Sequence, residues 1–231
     1  FPSTKYEGFV VTGWAEIRNT LLKEVKGSLV VDLYHGVYED EVVAELGNDF
    51  DKILRTSELM KDESVVRAMT DPFMTDDVLF GYLTNLRMDD FFCKEKIAAA
   101  KEHLAKFSGK VLIVGAGATL FAQGDSVVVY ADMARWEIQQ RMRRHEVKGL
   151  GVDNRQDPVS VQYKRGLFID WRVLDYYKDE LFGRVDFWLD TNDASEPKLI
   201  DKETFHKGIE ITAKTPFRVV PFFDPAPWGG Q

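Results

Sequence analysis

The chain has 231 residues, a net charge of −8 and a single cysteine, which suits a globular domain with a full apolar core and excludes an internal disulfide. The acidic balance argues against broad binding to nucleic acids or anionic membranes, because both require a basic surface. No apolar stretch approaches the roughly 20 residues of a membrane helix, and nothing resembles a signal peptide. We therefore expect a cytoplasmic protein.

The first 50 residues alternate between two kinds of segment. Residues 6–12 and 29–33 are short and apolar without alternation, as strands buried on both faces are. Residues 14–26 and 39–46 carry apolar side chains at helical spacing. Because strands and helices take turns along the chain, this part predicts a parallel sheet covered by helices.

The next 60 residues (50–109) predict mainly helix. Residues 50–77 fit one or two helices that are broken at Asp71-Pro72. The apolar run at residues 78–83 fits either a helix or a strand. Residues 94–107 are rich in alanine and predict a further helix, which Ser108-Gly109 ends.

The stretch 110–144 organises the rest of the chain. The apolar runs 111–114 and 127–130 predict buried strands, separated by a loop that begins Gly115-Ala116-Gly117. Asp132 follows the second run and is placed to cap a helix that carries four arginines. Polar groups at such strand ends lie where open α/β folds bind their ligands.

The last third of the chain adds two predicted strands and two predicted helices. The strands are residues 167–169 and 185–189, and the helices are residues 173–181 and 202–211. Residues 1–213 thus predict a three-layer α/β domain, with a mostly parallel sheet of about five or six strands and helices on both faces. The proline-rich residues 214–231 predict a linker.

Two basic clusters near predicted strand ends form a candidate phosphate site, because planar guanidinium groups bind phosphate bidentately. The candidate phosphate-binding residues are Arg135, Arg141, Arg144, Lys164, Arg165 and Arg172. The alternative is a solvated helix face on which the arginines pair with Glu137 and Glu146. A candidate polar site at the strand ends comprises Asp32, His35, Asp132 and Asp170.

Other cofactor and catalytic patterns receive little support from the sequence. The four histidines are scattered and Cys93 stands alone, so no spacing predicts a metal site. Gly115-x-Gly117 lacks the third glycine and the following helix of a dinucleotide fingerprint, which favours glycines that permit a tight turn and close packing. We assign no catalytic residue and expect no cofactor within this segment.

Residues 110–148, with VLIVGAG, then VVVYADM and then an arginine-bearing helix, resemble the second half of nucleoside and nucleotide kinases of the uridine-kinase type. Residues 80–92 are loosely similar to another segment of those kinases. The resemblance implies a P-loop-kinase-like fold. The phosphate loop of that family is lacking, because Trp14 and Ala15 follow Gly13 where a lysine and a hydroxyl residue are required.

The end of the chain carries a second resemblance. FRVVPFFDP at residues 217–225, followed by Pro227-Trp228-Gly229-Gly230-Gln231, resembles the entry into the cupin domain of type I mannose-6-phosphate isomerases. With YADMARWEIQQRMRR and YKRGLFIDWRVLDYYK, it is similar to bacterial mannose-6-phosphate-isomerase-like proteins with a kinase-like N-terminal region. The resemblance implies a cupin partner domain in the same chain. Its zinc ligands would lie after Gln231.

Three functions remain open at this point. The first is an N-terminal domain that binds a phosphorylated sugar or nucleotide, or packs on the cupin, without phosphotransfer of its own. Its parent protein would be an isomerase of carbohydrate metabolism. The second is a sugar or nucleoside kinase with a non-standard phosphate loop, in which Asp32 or Asp132 is the base. The third is a non-catalytic structural or interaction domain.

Overall fold

Seven strands form one sheet in the computed structural model, which describes residues 4–216. The strands are β1 (Val10–Thr12), β2 (Ser28–Leu33), β3 (Lys52–Arg55), β4 (Val111–Gly115), β5 (Val127–Asp132), β6 (Phe187–Asp190) and β7 (Lys198–Asp201). Their order across the sheet is β1-β7-β6-β5-β2-β4-β3. The five strands from β6 to β3 run parallel, and β7 and β1 extend one edge in antiparallel pairing. The predicted mostly parallel sheet is confirmed, with seven strands instead of five or six.

The central strands are buried on both faces, and alternation along each strand divides the core in two. In β2, Leu29 and Val31 belong to one apolar cluster, whereas Val30 belongs to the cluster on the other side. Neighbouring β4 and β5 alternate in the same way. This double burial explains why the central strands read as continuous apolar runs in the sequence.

Helices cover both faces of the sheet. They are α1 (Trp14–Glu24), α2 (Glu39–Leu46), α3 (Glu63–Met74), α4 (Lys94–Lys106), α5 (Arg135–Arg143), α6 (Val159–Arg165), α7 (Trp171–Leu181) and α8 (Lys202–Lys214). Helices α1 and α2 pack on one face, whereas α3, α4, α5 and α7 contribute to the apolar cluster on the other. The domain is therefore the predicted three-layer α/β fold. Within residues 4–216, no helix combines the length and apolarity that crossing a membrane requires.

Several predicted elements are wrong, and most lie away from the sheet centre. Residues 167–169 are not a strand but part of a single π-helical turn, Gly166–Asp170, between α6 and α7. Residues 78–83 form neither helix nor strand. Strand β3 lies within the region predicted as helix. The prediction failed because an edge strand with charged ends lacks the continuous apolar run of a buried strand. Strand β1 is antiparallel and shorter than predicted.

The predicted cap of α5 is also wrong. Asp132 does not cap α5, which begins at Arg135 after Ala134; its carboxylate accepts a hydrogen bond from the N–H of Met133. Helix α8 ends at Lys214, one residue beyond the predicted domain boundary. Of the predicted linker and cupin entry (214–231), residues 217–231 lie outside the described residues.

Asp32 holds together the carboxyl ends of the central strands. Its fully buried carboxylate accepts hydrogen bonds from the N–H groups of Gly117 (3.0 Å) and Thr119 (2.8 Å) and from the hydroxyl of Tyr177 (3.2 Å). Gly117 has a φ of +77°, which side chains rarely adopt, and a Cβ there would lie 2.8 Å from Phe92. The glycine loop thus serves a tight, closely packed turn, and it leads into a short 3₁₀ helix rather than the helix of a dinucleotide site.

Burial makes Asp32 a source of pH-dependent stability. Desolvation raises the pKa of its carboxyl from 3.8 to about 6, against the opposing effect of its hydrogen bonds. The folded protein therefore keeps a proton that the unfolded chain releases, so this contribution is present at low pH and is lost as the pH rises through about 6. Each pKa unit corresponds to about 1.4 kcal/mol, so the change amounts to at most about 3 kcal/mol.

We expect the free-energy difference between the wild type and Asp32→Asn to depend on pH. Asparagine cannot titrate, so the wild type should gain up to about 3 kcal/mol relative to the variant between pH 7 and pH 4. Urea unfolding at several pH values measures this difference. A constant difference across that range would show that the folded Asp32 has an ordinary pKa.

Candidate functional site

Two cavities open at the carboxyl edge of the parallel strands, where α/β sheets bind their ligands. The first cavity, of about 830 Å³, is lined by the segments that follow β2, β3 and β4 and by residues 146–153. The second cavity, of about 570 Å³, lies at the ends of β5 and β6 and is also lined by α7 and β7. Tyr34 contributes to the walls of both.

The first cavity is dominated by acidic side chains. Its acidic residues are Glu39, Asp40, Glu41, Glu63, Glu146 and Asp153, and its basic residues are Arg55, Lys61, Lys148 and Arg155. Arg55 is already paired with Glu39 (2.8 Å) and Asp40 (2.7 Å). Three of the acids occupy the first turn of α2, the helix end whose free N–H groups would otherwise attract an anion. This charge distribution disfavours a phosphate in the first cavity.

His35 lines the first cavity as a neutral imidazole with both nitrogens occupied. The indole N–H of Trp171 donates to Nδ1 at 2.8 Å, and Nε2 lies 2.9 Å from the carbonyl oxygen of Lys148. Because a carbonyl only accepts, the proton sits on Nε2. Burial lowers the pKa of His35. The side chain therefore ties the loop around Lys148 to α7.

The predicted cations of α6 and the adjoining Asp170 are buried between elements. Arg165 donates to the hydroxyl of Thr70 (3.0 Å) and the carbonyl of Leu150 (3.3 Å), and its Nε lies 3.4 Å from an oxygen of Asp170. Lys164 donates from Nζ to the carbonyl of Asp77. The π-helical turn orients Asp170 inwards. Lys164, Arg165 and Asp170 thus fix α6 and α7 to α3 and to two loops.

Arg141 is also buried, with 1% of the residue exposed. Its guanidinium donates to the carbonyl oxygens of Gly36 (2.9 Å) and Thr191 (2.8 Å) and to Glu137 (3.1 Å). It therefore joins the loop after β2 to the loop after β6.

The two remaining predicted cations at the surface pair locally. Arg144 pairs with Glu137 and Glu146, as the alternative prediction of a paired helix face expects. Arg172 stacks on the ring of Tyr176, with 4.2 Å between its guanidinium carbon and the ring centroid. Of the six predicted phosphate-binding residues, Arg135 lines the second cavity, and none of the other five lines either cavity.

The second cavity combines charged groups with hydrogen-bonding groups of α7. The Tyr34 hydroxyl donates to Asp175 (2.6 Å) and accepts from Arg135 (3.2 Å), which also pairs with Asp175. Lys178, one turn along α7, pairs with Asp132. The predicted residues Asp132 and Arg135 thus meet here, although His35 lines the first cavity and Asp32 and Asp170 line neither.

The second cavity is also lined by stacked aromatic rings and by a lysine whose ion pair is long and exposed. Trp188 stacks on Phe205, with 3.8 Å between ring centroids, and its Nε1 is buried without a hydrogen-bond partner among residues 4–216. Lys198 lies 3.6 Å from Glu196, and both side chains are about half exposed. The wall of the second cavity thus contains a buried indole N–H without a partner in the described part of the chain and an exposed ammonium group beside an apolar surface.

Sequence reasoning missed most residues of the second cavity. Asp175 and Lys178 stand three apart on α7, which places them on one side of a helix, and Asp190 ends a predicted strand. In the sheet, Asp190 of β6 lies opposite Asp132 of β5. The acidic residues at the ends of two neighbouring predicted strands could have indicated this site. No pattern in the sequence indicated Trp188 or Lys198. Among residues 4–216, no cluster of three or more candidate metal ligands occurs.

We expect Arg141→Met to lower the free energy of unfolding by about 3–5 kcal/mol, because the change leaves the buried carbonyl groups of Gly36 and Thr191 without their donor and removes one of the cations that pair with Glu137. Arg143→Met on the same helix is the matched control. Arg143 is exposed and makes a side-chain hydrogen bond to Tyr163, so its removal should cost about 1 kcal/mol or less. Chemical denaturation measures both. Equal stability of the two variants would contradict a structural role for Arg141.

Comparison with known proteins identifies the family of the chain. No curated protein matches the chain. A family described as a domain of unknown function (DUF8485) matches residues 13–214. The match begins one residue before α1 and ends with the last residue of α8, so it covers nearly the whole described fold. The chain therefore belongs to the DUF8485 family.

Proposed function

We propose that this domain binds a phosphorylated sugar or a nucleotide in the second cavity and does not transfer phosphoryl groups. The observation that carries the proposal is that Lys198 and Trp188, whose buried indole N–H has no partner among residues 4–216, line the same cavity beside an apolar wall. A phosphate needs cationic and N–H donors, whereas a sugar ring or base needs an apolar face. The second cavity supplies both.

The remaining polar groups suit a ligand with hydroxyl groups. Asp132 and Asp190 lie at the ends of adjacent strands, and Asn192 follows in the next loop. Carboxylates accept hydrogen bonds from sugar hydroxyls, and an amide can both donate and accept. Arg135 and Lys178 balance the acidic groups through their pairs with Asp175 and Asp132. Lys198, which lies opposite Asp190 in the pairing of β6 with β7, is the remaining cation among the described residues of the lining that a phosphate can contact.

The alternative of a kinase with a non-standard phosphate loop has less support. A phosphate loop lies between a strand and the N-terminus of the next helix, a position that residues 34–38 occupy after β2. Helix α2 then begins with Glu39, Asp40 and Glu41. Three negative charges at this end oppose the binding of a triphosphate.

We further propose a cytoplasmic setting, with this domain as the N-terminal part of a bacterial mannose-6-phosphate-isomerase-like protein. The support is the sequence resemblance of residues 217–231, which continue from α8 beyond the described residues. In that arrangement the isomerase chemistry, with its zinc, belongs to a cupin domain that follows. The second cavity would hold the substrate, the product or a regulatory nucleotide.

Titration calorimetry with mannose 6-phosphate, mannose, uridine and ATP–Mg²⁺ tests the proposal. We expect a phosphorylated ligand to bind, and Lys198→Ala to weaken its binding roughly tenfold, the loss expected for one charge-assisted hydrogen bond. Trp188→Phe should weaken binding to a similar extent, because it removes the indole donor and keeps an aromatic ring. Mannose should bind more weakly and should not respond to Lys198→Ala.

Lys23→Ala is the control variant, because Lys23 is exposed on α1, on the opposite face of the sheet. It should bind as the wild type does. Phosphoryl transfer from ATP would favour the kinase alternative. If no ligand gives a heat of binding, the alternative of a structural or interaction domain is favoured. If neither Lys198→Ala nor Trp188→Phe changes the affinity, the ligand binds outside the second cavity.

A further inference from the structure

Five large apolar side chains project into solvent from residues 78–83, which we call the apolar turn. Val78, Leu79, Phe80, Tyr82 and Leu83 are between 57% and 83% exposed. Exposed apolar residues that occur singly are ordinary, but a contiguous group of this kind marks an interaction surface. The apolar turn lies outside both cavities, so the proposed ligand site does not account for it.

The backbone of the apolar turn is anchored to the domain. The carboxylate of Asp77 accepts hydrogen bonds from the N–H groups of Leu79 and Phe80, both at 2.7 Å. The N–H of Tyr82 donates to the carbonyl of Phe73 at 2.8 Å. Gly81 packs so closely that a Cβ would lie 2.5 Å from the same carbonyl oxygen. The apolar side chains are therefore presented outwards by a fixed backbone.

The charges around the apolar turn restrict what can cover it. Between residues 71 and 90 there are five aspartates and one arginine, Arg87, which stacks on Tyr176 at 4.3 Å. The ammonium group of Lys164, which is buried, donates to the carbonyl of Asp77. A two-fold contact with a second copy would bring the same aspartates together, and anionic lipid would be repelled. A partner that is apolar and not acidic avoids both costs.

We propose that residues 217–231 of the same chain dock on the apolar turn. This segment, FRVVPFFDPAPWGGQ, carries six large apolar residues, three prolines, one arginine and one aspartate. Its charges cancel, so it meets no repulsion from the acidic surroundings. Proline-rich segments are recognised by exposed aromatic side chains, and Phe80 and Tyr82 provide two of them.

The length of the segment is sufficient for such an intramolecular contact. Fifteen residues beyond Pro216 span up to about 50 Å when extended, against a diameter of about 45 Å for a domain of this size. A tethered segment acts at an effective concentration in the millimolar range. Docking therefore requires only a weak intrinsic affinity, within reach of a few apolar contacts.

Hydroxyl-radical footprinting of the full chain tests the proposal, with two tyrosines as an internal comparison. Tyr82 is 69% exposed on the domain and Tyr6 is 41% exposed, so an uncovered Tyr82 is oxidised faster. We expect Tyr82 to be oxidised more slowly than Tyr6 in the wild type. The triple variant Phe222→Ser, Phe223→Ser, Trp228→Ser should reverse this order, with a several-fold faster oxidation of Tyr82.

The control variant is Val65→Ser with Ile209→Ser, which removes exposed apolar side chains from α3 and α8. It should leave the ratio of Tyr82 to Tyr6 oxidation as in the wild type. Fast oxidation of Tyr82 in the wild type, unaffected by the triple variant, overturns the proposal. The proposal is also overturned if Tyr82 is protected to the same extent in the triple variant and the protection increases with protein concentration. That result would indicate that a second copy of the chain covers the apolar turn.

Discussion

The carboxyl edge of the sheet depends on one buried carboxylate. Asp32 is the penultimate residue of β2, and the chain crosses over the end of this strand on the way from β4 to β5. The two N–H groups that bind Asp32 belong to that crossing segment, and Tyr177 brings α7 to the same point. The junction is thus a polar contact in a place where an unpaired group would be costly. Tyr34, two residues after Asp32, lines both cavities.

Several charged and polar side chains near this edge connect helices and loops to one another. Arg141 joins two loops, Arg165 and Asp170 join α6 and α7 to α3, and His35 is fixed between an indole and a carbonyl. A guanidinium group with five donors can satisfy several buried carbonyl oxygens at once, which explains the use of arginine for these connections. Three of the six predicted phosphate-binding residues, Arg141, Lys164 and Arg165, are therefore buried in contacts within the fold. What remains for a ligand is the smaller set of groups in the second cavity.

The helical unit from α6 to α7 links the two proposed surfaces. Lys164 near its start holds the carbonyl of Asp77, which precedes the apolar turn. Asp175 and Lys178 near its other end form part of the second cavity. The π-helical turn between them shifts the register of the helix, a feature that is common at functional sites. The cavity and the apolar turn are therefore connected through one continuous helical unit.

The sequence by itself determined the central layers of this protein. Strands β2, β4 and β5 and helices α1, α4 and α7 follow from local apolar patterns, because an element buried on one or both faces must carry a matching period. The tertiary structure alone decided the edge strand β3, the exposure of residues 78–83 and the partners of the arginines. Arg141 is the clearest case, since its acceptors Gly36 and Thr191 are 105 and 50 residues away in the chain. A local pattern records how much of a side chain is buried, whereas the group that it meets is fixed only when distant elements pack together.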